Sequence, residues 1–105
     1  MKTYDVYILK CADNSYYVGV TNNLEKRIME HKEGLDSKSY TFKRRPIALI
    51  WNQTFNDIEQ AIGFEKKLKG WNRVKKEALI NGEFDKLVRL SKNYTQYGKS
   101  STSSD

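Results

Sequence analysis

The run Tyr4-Asp5-Val6-Tyr7-Ile8-Leu9-Lys10, followed after the polar turn Ala12-Asp13-Asn14-Ser15 by Tyr16-Tyr17-Val18-Gly19-Val20-Thr21, decides the fold. Both runs are rich in β-branched and aromatic residues, which suit a pleated surface, so each is expected as a strand. So short a connection leaves no room for a crossover, and the pair is expected as an antiparallel hairpin. Outward from it, Asn22 with Glu25 has capping-box spacing and opens a helix that ends near Gly34 and carries Leu24, Ile28 and Leu35 toward the core. Periodicity is lost from Leu35 to Arg45. Pro46 closes that stretch, and Ile47-Ala48-Leu49-Ile50-Trp51 reads as a third strand, apolar enough to be buried on both faces. Asn56 with Glu59 is a second capping box, for a helix running to about Lys69, where Gly70-Trp71 interrupts it. Asn72 caps a third helix through Ile80 with Gly82 as terminator, and a short last helix from Glu83 to Leu90 is expected to turn Phe84, Leu87 and Val88 inward.

The order β-β-α-β-α-α implies an α/β (α+β) layer structure, a small three-stranded antiparallel or mixed sheet flanked by helices. One domain over residues 1–90 is expected. From Ser91 the chain is Ser, Thr, Lys, Gly and Tyr without periodicity, so a structureless tail over 91–105 is expected.

A chain of 105 residues has room for one modest core. Its 19 Lys and Arg against 13 Asp and Glu give a net charge of +6, which favours a polyanionic partner over a neutral metabolite. The lone Cys11 excludes an internal disulfide framework and a multi-cysteine zinc site, and the lone His31 excludes a histidine-rich metal cluster within one chain. No stretch approaches the ~18 apolar residues that a membrane span needs. The apolar run Val6 to Leu9 is too short for a signal-peptide core, so a cytoplasmic location is expected.

The two best helices carry polar groups where apolar ones should recur. Arg27 and His31 fall at the next positions along the stripe of Leu24 and Ile28, one turn apart on one face. In the second helix, Glu65 completes the rhythm of Ile58, Ala61, Ile62 and Leu68. A carboxylate there costs several kcal/mol to desolvate without a cation, a metal or strong donors. An internal Arg27–Glu65 salt bridge is the plain structural account. Departures from binary patterning concentrate at functional sites, which is the other account. On the hairpin, Tyr7 and Tyr17 are expected on one sheet face, and Gly19 marks a close approach of backbone or ligand.

Asp5-Val6-Tyr7, then Tyr17-Val18-Gly19 ten residues on, then Arg27, His31 and Glu65 in order, resemble the GIY-YIG nuclease family, in particular its small stand-alone bacterial members. The resemblance runs from about Tyr4 to Ile80. Over that span the chain is similar to the N-terminal nuclease domain of the repair excinuclease and to the nuclease domains of structure-specific endonucleases. The resemblance implies divalent-metal-dependent hydrolysis of DNA phosphodiesters, structure-selective and linked to repair or recombination. Carried over, Tyr7 matches the first motif's tyrosine, Tyr17 and Gly19 the second motif, Arg27 the helix arginine, His31 a His-or-Tyr position and Glu65 the metal-binding glutamate.

The chemistry suits the residue types. Glu65 offers hard oxygen to Mg²⁺ or Mn²⁺. Arg27 can fork two donors onto phosphate oxygens. Tyr7 would act as base or place the water, with help from a metal or a cation to lower a phenol pKa near 10, while Tyr17 and His31 orient water and relay protons. The sequence departs from the family pattern at Asp5 and Val6 in the first motif, at Val18 in the second, and at Val20, where some members carry lysine. No secure match exists for a further asparagine, although Asn72 lies nearby.

Lys43, Arg44, Arg45, Lys66, Lys69, Arg73, Lys75 and Lys76 are expected to bind DNA, with Trp71, Tyr40 and Phe42 placed to stack on unpaired bases. RNA is the other substrate that the resemblance allows. The alternative to an enzyme is a nucleic-acid-binding module that keeps the fold and cleaves poorly or not at all.

Overall fold

The computed structural model describes residues 2–98, with side chains up to residue 91. Strand β1 is Tyr4–Lys10, β2 Tyr16–Thr21 and β3 Ala48–Phe55; the helices are α1 Leu24–Glu33, α2 Ile58–Gly70, α3 Arg73–Ile80 and α4 Phe84–Gly98, with a 3-10 turn over Phe42–Arg44. The sheet is antiparallel throughout, in the order β2-β1-β3. Contacts group the chain into two compact units that meet between Lys66 and Lys67, inside the 1–90 span expected as one domain.

In the first unit the hairpin forms as expected, with Asn14 taking positive φ in its turn. Its register sets Tyr7 opposite Gly19 and Leu9 opposite Tyr17. The strand buried on both faces is β1, whose Val6 to Leu9 are wholly buried. Tyr7 and Leu9 join Cys11 and Ile47 in a cluster on which Tyr17 and the α1 residues Leu24 and Ile28 pack. Val6 and Ile8 alternate to the opposite face. On β3, Trp51 and Phe55 stand opposite Ile8 and Tyr4, and Phe64 of α2 packs on both rings.

The third strand therefore departs from expectation. It begins at Ala48, not Ile47, runs on to Phe55, and is an exposed edge strand with Leu49 37% accessible. Its position at the sheet's edge is the reason: burial on both faces falls to the strand that has a neighbour on each side.

The caps also differ by a residue. Asn23, not Asn22, caps α1 by accepting from the Lys26 amide, and Asp57, not Asn56, accepts from the Gln60 amide at the start of α2. Gly34 ends α1 in the left-handed region at φ 65°, as expected, but Leu35 points outward and is 64% exposed. A residue just past the left-handed cap leaves the helix face that its spacing would assign to it.

In the second unit, Asn72 caps α3 by accepting from the Lys75 amide, and the helix buries Ala78 and Leu79, with Gly82 at positive φ beyond. The last helix runs to Gly98, not Leu90, so residues 91–98 are helical where a tail was expected; the remainder of that tail, 99–105, lies outside the described residues. Phe84 and Val88, expected inward, are exposed. Among the described residues no helix is long and apolar enough to cross a membrane.

Candidate active site

The first unit brings Tyr7, Tyr17, Arg27 and His31 together. The hairpin register places Tyr7 and Tyr17 on one face, 6.3 Å apart between ring centres. The ring of His31, on the inner side of α1, lies 5.2 Å from that of Tyr17 and 6.0 Å from that of Tyr7. Tyr7 Oη and His31 Nε2 are hydrogen-bonded at 3.1 Å. Gly19 makes this possible, because a Cβ there would lie 2.5 Å from Tyr7 Cζ.

On its other side, His31 Nδ1 is 2.7 Å from Thr41 Oγ1, which is 3.0 Å from Ser39 Oγ. Thr41 is buried, and Ser39 Oγ also accepts from the Thr41 amide. Tyr40 stacks on Tyr17 at 5.9 Å, and Arg44 covers the outer face of Tyr40, 3.8 Å above its centre, while donating to the Tyr40 carbonyl and to Asp13.

A cavity of about 620 Å³ opens beside these groups, lined by Tyr17, Arg27, Glu30, His31, Ser39, Tyr40 and Thr41 among others. Tyr7 stands behind this lining and is wholly buried. Arg27 is exposed, so it does not break the apolar stripe as its spacing implied; its Nε donates to Glu30 at 3.1 Å. Glu65 is half-buried on α2 and acts on Tyr7 through its negative charge, the smallest of the influences felt there.

Burial, with the Tyr17 phenol beside it, pushes the Tyr7 phenol up to about 12, and the positive charge of the Arg27 guanidinium only partly offsets this. The expected lowering is thus reversed in the protein alone. Burial and the positive charge of Arg27 hold His31 below the ordinary imidazole value, so the ring is neutral at neutral pH.

Of the cationic residues expected to meet DNA, Lys43, Arg45 and Lys66 are exposed in the first unit, with Arg45 stacked on Phe42. Arg44 is engaged as described. In the second unit, Lys69 is exposed, Arg73 donates to Glu77, Lys75 lies 4.5 Å above the half-buried Trp71 ring, and burial lowers the Lys76 ammonium. Sequence reasoning did not find Ser39, Thr41 or Glu30. The first two lie in the stretch without periodicity, where only the wholly buried hydroxyl of Thr41 and the half-buried one of Ser39 mark them.

An α+β unit of this strand order, with hairpin tyrosines against a helical arginine and histidine, falls in the class of small nuclease-type catalytic domains. The chain belongs to the GIY-YIG family: the model of the GIY-YIG catalytic domain matches residues 3–78. A UPF0213 protein of Bacillus pumilus is 45% identical over 74 residues, covering 70% of this chain and 74% of its own. One from Staphylococcus haemolyticus is 40% identical over 80 residues, covering 76% and 96%. Among solved structures, the solution NMR structure of a UPF0213 protein from Bacillus halodurans matches with a TM-score of 0.51 at 37% identity, over 75% of this chain and 83% of that one. The solution NMR structure of an E. faecalis protein matches with a TM-score of 0.57 at 32% identity, over 80% and 88%. The family is a nuclease superfamily whose members generally use divalent metal ions, so the substrate class is nucleic acid. The names of these relatives carry no activity.

Proposed function

We propose that the protein is a divalent-metal-dependent endonuclease that hydrolyses DNA phosphodiester bonds, selecting branched, flapped or single-stranded structures in repair or recombination in the cytoplasm. The hydrogen bond between Tyr7 and a neutral His31, at the wall of a cavity with Arg27 on its rim, carries this reading. A phenol with a pKa near 12 is protonated at neutral pH, so alone it is no base. Paired with a neutral imidazole it becomes one. Tyr7 is closed off from the cavity, so the step requires the substrate to open a path to its hydroxyl. As the water oxygen then bonds to phosphorus, its proton passes to Tyr7 Oη while the phenol proton passes to His31 Nε2. The bond from phosphorus to the leaving alcohol oxygen breaks, and that oxygen takes a proton from solvent. Arg27 lines the cavity and its positive charge is felt at Tyr7, so a phosphate that engages the guanidinium is drawn toward the phenol.

Among the described residues no group of three or more His, Cys, Asp or Glu side chains could cage a metal ion. Glu65 would serve the other arrangement, a single hard carboxylate offered to Mg²⁺ or Mn²⁺, whose remaining positions phosphate and water oxygens would have to fill. A bound ion would supply neutralisation of charge around phosphorus.

A nicking assay on flap, branched and single-stranded DNA with Mg²⁺ or Mn²⁺ tests the proposal. Wild type should cut, whereas Glu65→Ala should lose at least about 100-fold in rate and keep its affinity; Arg27→Ala should lose both rate and phosphate binding. Equal trace activity in all three proteins would refute it. The Arg27–Glu30 pair and a second carboxylate, Asp36, on the cavity wall favour the alternative of a binding module without cleavage, which retention of affinity in an inactive wild type would establish.

A further inference from the structure

Thr41 is 1% exposed, yet its side chain is hydroxylic where valine would fill the same volume. A buried hydroxyl is costly unless it is bonded, so its partners define its purpose. They are His31 Nδ1 at 2.7 Å and Ser39 Oγ at 3.0 Å. Beyond the imidazole lies Tyr7, making a line of four side chains, Ser39–Thr41–His31–Tyr7, from the cavity lining into the core.

Such a line can run in two directions. In one, Tyr7 donates to His31 Nε2, His31 Nδ1–H donates to Thr41, and Thr41 donates to Ser39. In the other every donor is reversed, and Nε2–H points at the phenol oxygen. The chemistry of the two groups decides between them. A phenol is a much stronger hydrogen donor than a neutral imidazole N–H, and the unprotonated imidazole nitrogen is the better acceptor, so across the 3.1 Å contact Tyr7 donates to Nε2.

We propose that Thr41, anchored by Ser39, is a positioning residue: its oxygen accepts the Nδ1–H of His31 and so holds the tautomer whose Nε2 lone pair faces Tyr7. Without it the ring is free to place its hydrogen on Nε2, where it would face the phenol as a donor and be unable to take the phenol proton. The wrong tautomer then stops proton transfer with every side chain still in place.

The inference rests on the nuclease reading only for its kinetic arm. Because His31 is the chain's one histidine, its ring nitrogens can be assigned without ambiguity by long-range proton–nitrogen NMR at pH 8. Wild type and Thr41→Ser should show Nδ1–H, and Thr41→Val should move toward Nε2–H. In the nicking assay Thr41→Val should lose at least about tenfold in kcat with KM little changed, and Thr41→Ser should restore most of it. An Nε2–H tautomer in wild type, or Nδ1–H kept in Thr41→Val, overturns the proposal. If Thr41→Val does not fold, the wild-type tautomer alone decides. If wild type cuts no nucleic acid, the nuclease reading fails while the nitrogen spectra still judge Thr41.

Discussion

Gly19 faces Tyr7 across the hairpin, and the Tyr7 ring, wholly buried, has nowhere to swing. Gly19→Ala should therefore destabilise the protein by about 1–3 kcal/mol, read as a lower urea midpoint at constant slope, and reduce any cleavage with it. The two perturbed groups beside it predict the pH limits of stability. The unfolded chain releases its tyrosine protons near pH 10 while folded Tyr7 holds on to about 12, so stability should fall as pH rises through that window. Tyr7→Phe should lack that loss. His31 has the opposite sense: its contribution is complete above pH 6.5 and is lost as pH falls through the lower folded value. Urea midpoints of wild type, Tyr7→Phe and His31→Gln across pH check both limbs. Tyr7, Tyr17, Arg27 and His31 could be singled out in the sequence by their order and spacing, and the fold brings the four together, although Arg27 is exposed and does not break the helix stripe as its spacing implied. Thr41 could not be singled out, because the chain around it has no pattern to break, and its meaning comes entirely from an imidazole ten residues earlier.

The caps act on whole elements. Asn23 satisfies the Lys26 amide at the start of the helix that carries both Arg27 and His31. Asn23→Ala should cost about 0.5–2 kcal/mol, measured by chemical denaturation, because an amide of the first turn loses its partner. The hairpin, α1 and α3 were readable since local propensity, turn chemistry and apolar rhythm agree there. The roles of β1 and β3 were not, because an apolar run does not say which strand is central; that is fixed by pairing on both edges of β1. The last helix misled in two ways. Its end lacks a stop signal before Gly98, and its spacing placed Phe84 and Val88 inward although both are exposed.

For the molecule as a whole, the excess of positive charge makes salt the decisive variable. Affinity for single-stranded DNA, followed by fluorescence anisotropy, should fall linearly on a double-logarithmic plot against salt, by about 0.7 in slope per phosphate neutralised. Lys43→Ala should flatten the line by about one such step for every sequence alike, because a phosphate contact carries no base information. The cavity has a consequence of another kind. All of its lining lies between Tyr17 and Thr41, and much of it on the short connection after α1, whereas Tyr7 and Glu65 are anchored on β1 and α2. Exchanging residues 34–41 between relatives would thus swap the shape of the opening as a cassette, so that new tastes in nucleic acid can arise by grafting a loop while the inherited proton chemistry stays in place.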